Sequence, residues 1–148
     1  LVGLFCSSTI NIKLIRGSMK TEKQILGIWG ENLAVEWLKK QGYLVIEQNY
    51  SSPPGEIDIV AKVRDSLSFI EVKTRSGHPG SAERAVGFLK QDHLIKAAKY
   101  YCRQWNIDLL HTSIQFEQIS IYCSKKDKTA TITKYSLPVG MNFSYGKR

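Results

Sequence analysis

Cysteine is scarce in this chain, and its three copies are far apart. Cys6, Cys102 and Cys123 form no CxxC pair and are odd in number. Structural zinc sites need closely spaced ligands, and disulfide frameworks need paired cysteines. We therefore expect neither a structural zinc site nor a disulfide framework. We expect a reducing, cytoplasmic compartment.

Several motifs of well-known enzyme classes are also missing. The chain has no Walker motif, no nucleotide-binding glycine fingerprint and no nucleophile elbow. His78, His93 and His111 have no mutual ligand spacing. The apolar stretch LVGLFCSSTI is too short to cross a bilayer, and no other candidate span is present. We therefore expect no membrane partner.

Acidic residues are outnumbered by basic ones. The 148 residues include 13 Asp and Glu against 21 Lys and Arg, a formal net charge of +8. Such a surplus favours a polyanionic partner, either nucleic acid or an anionic membrane surface. Nucleic acid is favoured, because the helices carry their aromatic residues on core-like stripes and not opposite a dense lysine face.

The length predicts one domain, and the residues before Met19 predict a leader. The chain starts at Leu1, and the later RGSM resembles a cloning scar before a start methionine. We interpret residues 1–18 as an expression-vector leader; a native disordered arm is the alternative. A single α/β domain is predicted over residues 19–140, and a flexible tail over 141–148.

Hydrophobic periodicity predicts the order α-β-β-β-α-β-β. The first helix spans about 21–40, with a possible capping box from Thr21 to Gln24 and an apolar stripe that recurs every four residues. The second helix spans about 82–105, with Tyr101 and Trp105 on its apolar side. The remaining segments predict a strand at 43–50, a loop at 51–55, a strand pair within 55–75 and a final strand pair across the basic turn SKKDK. This is a mixed α/β domain with one main sheet.

Three charges interrupt the apolar strand pair GEIDIVAKVRDSLSFIEVKTR: Asp58, Glu71 and Lys73. Side chains alternate across a strand, so Ile57, Ile59 and Ala61 are predicted on the opposite face. A four-residue connection predicts Asp58 opposite Glu71, a two-residue connection predicts Asp58 opposite Lys73, and a three-residue connection would split the charges between faces.

Two converging carboxylates beside an ammonium suit metal-dependent phosphodiester hydrolysis. Mg²⁺ or Mn²⁺ is the expected cofactor, because hard cations take carboxylate oxygens and activate water. The lysine would assist the water or stabilise the developing charge. Glu31 borders the buried stripe of the first helix and is a further candidate metal ligand. The alternatives are a cross-strand ion pair on a solvated face and, for Glu31, a plain solvated position.

The segments WGENLAVEWLKKQGYLVIEQNY, GEIDIVA and FIEVKTR, in this order, resemble the YraN family. That family is similar to the PD-(D/E)XK restriction-endonuclease-like superfamily, and especially to archaeal Holliday-junction resolvases. The resemblance implies a three-layer fold with a central mixed sheet flanked by helices. It assigns Asp58, Glu71 and Lys73 to the catalytic signature and matches Glu31 to the acidic residue of the first helix. The chain departs from the family pattern at Ser51 and at Gln115-Phe116-Glu117, where an arginine and an Arg-Phe-Asp run are usual.

The resemblance implies an endonuclease that acts on branched or damaged DNA, DNA being favoured over RNA, and by analogy a homodimer. The candidate phosphate contacts are Arg75, Lys90, Lys96, Lys99 and Arg103, with His78 and Arg84 in the loop after the strand pair. A solvated helix face is the alternative for the helical residues. Two other functions stay open: a non-catalytic nucleic-acid-binding module that retains the fold, and an adaptor that binds another protein.

Overall fold

The computed structural model describes residues 2–4, 21–76, 88–124 and 129–138. In chain order the elements are β1 (Val2–Leu4), α1 (Glu22–Lys40), β2 (Leu44–Ser52), β3 (Gly55–Val63), β4 (Ser66–Ser76), α2 (Phe88–Gln104), β5 (Ser113–Ser124) and β6 (Thr129–Ser136). Several sequence predictions fall outside the described residues: the start of the second helix at 82–87, the loop with His78 and Arg84, the turn at 125–128, the tail, and all of the leader except 2–4.

Helix α1 begins and ends where the sequence predicts. Thr21 is the N-cap, and it forms a reciprocal capping box with Gln24. At the other end Gln41 is the C-cap, and Gly42 follows with a φ of 85°, a backbone conformation that favours glycine. These local signals fix the length of the helix, and with it the point at which the chain enters β2.

The described strands form one mixed sheet in the order β1-β6-β5-β4-β3-β2. Only β4 and β5 pair in parallel, and the crossover between them contains α2. All other neighbours are antiparallel. Helices cover both faces, so the architecture is the predicted α/β three-layer arrangement of a restriction-endonuclease-like fold.

Each face of the sheet carries its own apolar core. The α1-side core contains Ala34 and Leu38 of α1 packed on Ile59 and Ile70. The α2-side core contains Leu94, Ala97, Ala98, Tyr101 and Cys102 of α2, packed on Val60, Leu67, Phe69 and Phe116 of the sheet. Burial of these aliphatic and aromatic groups is the main favourable contribution to folding, at about 25 cal/mol per Å².

Three sequence predictions about the cores and loops are wrong. Trp105 is 56% exposed because α2 ends at Gln104, and Leu94 and Cys102 complete the apolar side instead. The predicted loop at 51–55 shrinks to a two-residue turn, since Ser52 pairs directly with Gly55. Ile57 packs in the α2-side core with Val60, not with Ile59.

None of the described helices is both long enough and apolar enough to span a bilayer.

Candidate active site

Helix α1 approaches the C-terminal half of β4 closely, at Gly30. A Cβ atom at Gly30 would lie 1.8 Å from Oγ1 of Thr74 and 2.9 Å from its Cβ, so only glycine fits without a shift. Thr74 directly follows Lys73, one of the predicted catalytic residues. The contact therefore brings the next helical residue, Glu31, towards the end of the sheet where the strand charges lie.

The sheet opens between β3 and β4 at Asp58. The ladder between these strands ends at the pair Ile59 and Ile70, while β3 stays paired to β2 through Ile57. In the opening, the backbone N–H of Val72 donates a 2.6 Å hydrogen bond to Oδ2 of Asp58. The carboxylate thus takes a position that a strand carbonyl would otherwise hold.

This opening also explains the misplaced Ile57. Asn49 of β2, adjacent to Tyr50, has a φ of 52°, which interrupts regular strand geometry beside Asp58. The strict alternation of faces is lost where β3 leaves β4, so Ile57 and Ile59 lie on opposite sides. A period-two pattern predicts faces only along an unbroken ladder.

The connection between β3 and β4 has two residues, Arg64 and Asp65, and Val63 pairs with Ser66. Asp58 lies five residues before Val63, and Glu71 lies five after Ser66, so this register sets Asp58 level with Glu71. The predicted link between a two-residue connection and an Asp58–Lys73 pairing is wrong. The ladder ends at Ile59 and Ile70, and its register, extended by one residue, corresponds to the Asp58–Glu71 relation expected of a four-residue connection.

Asp58 has the strongest electrostatic perturbation among the described carboxylates. Burial raises its pKa from 3.8 to about 6, despite the opposing hydrogen bond from Val72. The negative charges of Glu71 and Glu31 raise the pKa further, and the ammonium of Lys73 lowers it. The other three predicted charges therefore all act on Asp58.

Glu71 and Lys73 are paired with each other. The Lys73 ammonium forms an ion pair with Oε1 of Glu71; the Lys73 side chain is 28% exposed and that of Glu71 is 16% exposed. Two residues apart on β4, they share one face of the strand, as predicted. The ammonium thus occupies one oxygen of a carboxylate that was predicted to hold a metal.

Glu31 is half-buried on α1, as expected from its position beside the apolar stripe. Across the described residues, no three Asp, Glu, His or Cys side chains lie close enough to hold one metal ion. Asp58 and Glu71 are thus the candidate ligand pair, and direct ligation by Glu31 stays a prediction. Mg²⁺ takes only one or two protein carboxylates and keeps several waters, so the pair suffices for a site.

The basic residues predicted to contact phosphate are spread along β4 and α2. Arg75 is half-buried two residues beyond Lys73. On α2, Lys96 is exposed and forms a 2.6 Å ion pair with Asp92, Lys99 is half-buried, and Arg103 is exposed. Lys90 lies in the first turn of α2, and its side chain is outside the described part of the structure.

Sequence reasoning missed a buried ionic network centred on Glu117. This residue is 2% exposed. Its carboxylate accepts hydrogen bonds from Ser68 Oγ at 2.6 Å, from Lys134 Nζ at 2.6 Å and from the Tyr43 hydroxyl at 3.1 Å. The acidic residue inside the apolar sequence of β5 is the signal that could have indicated this network.

Burial alone would lower the pKa of Lys134, but hydrogen bonds to Glu117 and Tyr43 outweigh it and raise the pKa. The Lys134 ammonium on β6 therefore stays charged. The network joins β4, β5 and β6 to the segment that follows α1, so it supports the scaffold and not the reacting groups.

Comparison with known proteins places this chain in a family. The model of Uncharacterised protein family UPF0102 matches residues 30–121. The chain belongs to this family. A UPF0102 protein of Syntrophotalea carbinolica is 38% identical over 104 residues, which cover 70% of this chain and 83% of that protein. A UPF0102 protein of Chlorobium phaeobacteroides is 40% identical over 118 residues, which cover 70% and 91%.

The UPF0102 match is the YraN family of the sequence-based resemblance. The matched region contains Glu31, Asp58, Glu71 and Lys73, together with the strands and the helix that position them. A UPF0102 protein of Clostridium perfringens is 44% identical over 84 residues, which cover 56% of this chain and 69% of that protein. The names of these relatives specify no reaction.

Proposed function

We propose that this UPF0102 protein is a metal-dependent endonuclease that hydrolyses phosphodiester bonds in nucleic acid. The observation that carries the proposal is the placement of the Asp58 carboxylate in the opening between β3 and β4, held by the Val72 N–H and level with Glu71. A strand core gains nothing from an isolated acid there, because burial of a carboxylate is costly. A cation and a phosphate would explain the choice.

The carboxylates fit a hard divalent cation. Asp58 is held in an environment that disfavours its own charge, with Glu71 and Glu31 adding repulsion. A cation at Asp58 and Glu71 would remove that repulsion. Mg²⁺ or Mn²⁺ is the expected cofactor, because both accept carboxylate oxygens. When bound, such a cation would lower the pKa of attacking water and stabilise charge on the phosphoryl group.

The protein groups would divide the remaining tasks. Asp58 and Glu71 would bind the cation and fix its position relative to the scissile phosphate. Lys73, beside Glu71, would orient the attacking water or stabilise charge that develops on the phosphoryl oxygens. Glu31 would add negative charge that favours the cation, either as a ligand or through water.

Contacts to the nucleic acid would come from Arg75 and from the basic side of α2. A Cβ at Gly55 would lie 3.5 Å from His93, so this part of α2 packs against the start of β3, three residues before Asp58. Ten residues separate His93 from Arg103, which is about 15 Å of helix. Lys96, Lys99 and Arg103 would therefore contact phosphates along a backbone that runs away from the reacting bond, with Lys90 nearest to it. Such contacts give affinity without sequence preference.

We propose branched or damaged DNA as the substrate and a homodimer as the acting form, both by analogy with the resolvases that the family resembles. A cytoplasmic location fits the free thiols of Cys102 and Cys123. Burial raises the pKa of Cys102 to about 11 and also raises that of Cys123, so neither is an activated nucleophile.

The test is cleavage of a labelled panel of single-stranded, duplex, flap and four-way-junction DNA and of RNA, each with Mg²⁺, Mn²⁺ or EDTA. The matched variant is Asp58→Asn, whose amide oxygen still accepts the Val72 hydrogen bond while the charge is lost. Cation-dependent cutting by the parent and its loss in the variant, with binding retained, is the expected result. Equal cutting by both proteins would remove Asp58 from the mechanism.

A non-catalytic nucleic-acid-binding module is the second candidate. The observation in its favour is that Glu71 is already paired with Lys73 and that the described residues supply no third metal ligand. In that case the panel would show salt-dependent binding and no cutting with any cation. Absence of both binding and cutting would favour an adaptor for another protein.

A further inference from the structure

Gln118 of β5 has a buried polar atom without a partner. Its Nε2 donates a 2.9 Å hydrogen bond to Oγ of Ser120. Its Oε1 is buried and accepts no hydrogen bond. A buried amide oxygen without a donor destabilises the folded state. Such a group in a native structure requires an explanation, and a role in a second state of the site is one.

The parallel register places this amide beside the candidate catalytic pair. Gln118 pairs with Glu71, and Ser120 pairs with Lys73. Residues level with each other on neighbouring strands project on the same face. The hydrogen bond to Ser120 shows that the Gln118 amide extends along β5 towards the level of Lys73.

Lys73 and a cation would compete for Glu71. The ammonium now forms an ion pair with Oε1 of Glu71. A divalent cation on the same carboxylate would repel it, because like charges a few ångströms apart are strongly unfavourable in a partly buried site. The displaced ammonium loses its Glu71 partner, and a half-buried charge gains from an acceptor oxygen nearby.

We propose that Gln118 is a positioning residue that receives the Lys73 ammonium on Oε1 when a divalent cation takes its place on Glu71. The inference rests on the proposed function and assigns Gln118 a role within that site. Transfer of the ammonium from Glu71 to Gln118 would keep Lys73 charged and on the same face of the sheet as Glu71. Strand spacing of about 4.8 Å and a rise of about 3.3 Å per residue put the two Cα atoms about 8 Å apart. The flexible four-carbon stem of lysine spans that gap.

The test is a double-mutant cycle on cation affinity, measured on the full chain by titration calorimetry with Mg²⁺ and Mn²⁺ in the absence of nucleic acid. The proteins are the parent, Gln118→Met, Lys73→Met and the double variant. Gln118→Met should weaken cation binding about fivefold, because the ammonium without its acceptor competes more strongly for Glu71. Lys73→Met should tighten binding, and adding Gln118→Met to it should change nothing further.

Two controls accompany the cycle. Gln115→Met alters an exposed glutamine of the same strand, bound to Ser66, and should leave cation affinity unchanged. Thermal melting reports the folded state of each variant, and Gln118→Leu replaces Gln118→Met in the cycle if the latter does not fold.

The outcomes separate the two proposals. Equal weakening by Gln118→Met in the parent and in the Lys73→Met background would show a merely structural role and overturn the inference alone. Absence of cation binding by the parent would overturn the proposed function and the inference with it. Dependence of the Gln118 effect on the presence of Lys73 would establish the exchange.

Discussion

The Val72 N–H and the Asp58 carboxylate, 14 residues apart in the chain, form a 2.6 Å hydrogen bond where β3 and β4 separate. A side-chain oxygen has replaced a main-chain acceptor at this point of the sheet. This hydrogen bond satisfies the Val72 N–H. It also holds the Asp58 carboxylate in a buried position that disfavours its charge. Asp58 therefore affects both the stability of the fold and the proposed function, and substitution of this residue measures both effects.

Asp58→Asn should stabilise the protein at neutral pH. Folding raises the pKa of Asp58 from 3.8 to about 6, so the folded state binds the proton more tightly than the unfolded state does. Stability should therefore fall as pH rises from about 4 to about 6 and stay lower above that range. Urea unfolding without divalent cations should show the variant to be more stable by the order of 2 kcal/mol at pH 7.5, with little difference near pH 4. Equal stability at every pH would contradict this reading of the site.

Divalent cations should reverse that order. A cation that binds only the folded state at a hundred times its dissociation constant adds about 2.7 kcal/mol, which exceeds the advantage of Asp58→Asn. Mg²⁺ should therefore raise the melting temperature of the parent and leave Asp58→Asn unchanged. The control is an equal ionic strength of NaCl, and a similar shift in both proteins would point to screening instead of a site at Asp58.

Gly30→Ala should loosen the contact between α1 and β4. The new Cβ would lie 1.8 Å from Oγ1 of Thr74, so the helix must shift, at a cost of about 2 kcal/mol. Gly27→Ala is the matched control, because no atom lies within 4 Å of a Cβ there and alanine favours helix by about 0.5–1 kcal/mol. Chemical unfolding compares the two.

The clash itself can be isolated. In a Thr74→Ala background, which removes Oγ1, Gly30→Ala should cost less than in the parent. An unchanged cost in that background would mean that helix propensity or a different neighbour, and not Thr74, requires glycine at this position.

Glu117→Ala should be among the more destabilising single changes in the described core. It would leave Lys134, Ser68 and Tyr43 without their shared acceptor, and removing one partner of a buried pair costs about 3 kcal/mol. Glu36→Ala removes the exposed ion pair with Lys39 and should cost less than about 0.5 kcal/mol. Urea unfolding at pH 7 distinguishes the two, and similar small losses would show that the network adds nothing beyond packing.

Arg103→Ala should weaken nucleic-acid binding in a salt-dependent manner. If Arg103 neutralises one phosphate, the slope of log affinity against log salt should fall in magnitude by about 0.9. Lys40→Ala, at the C-terminal end of α1 on the other side of the sheet, is the control and should keep the parent slope. Identical slopes for both variants would remove the far end of α2 from the interface.

Much of the fold could be predicted because local signals agreed with one another. The capping box at Thr21 and the glycine at Gly42 mark the two ends of α1. The alternation of Phe69, Glu71 and Lys73 indicates that these side chains share one face of β4. The order of elements followed from period changes along the chain. These signals act over a few residues, so a single sequence carries them in full.

The remaining details depend on contacts between distant segments. The separation of β3 from β4, which moves Ile57 to the other core, follows from the Asp58–Val72 hydrogen bond and from Asn49 on a third strand. Trp105 has the right helical spacing for burial, yet the helix ends before it. The buried pairing of Glu117 with Lys134 joins strands whose register no periodicity determines.

The pairing of β1 with β6 has a practical consequence for protein production. Val2–Leu4 hydrogen-bonds along β6 opposite Ala130–Ile132. A chain shortened to start at Met19 would lack that strand and would leave the outer edge of β6 open. Open edges recruit strands from other molecules and promote aggregation. Solution behaviour of shortened and full-length protein should therefore be compared before any loss of activity is assigned to the chemistry of the site.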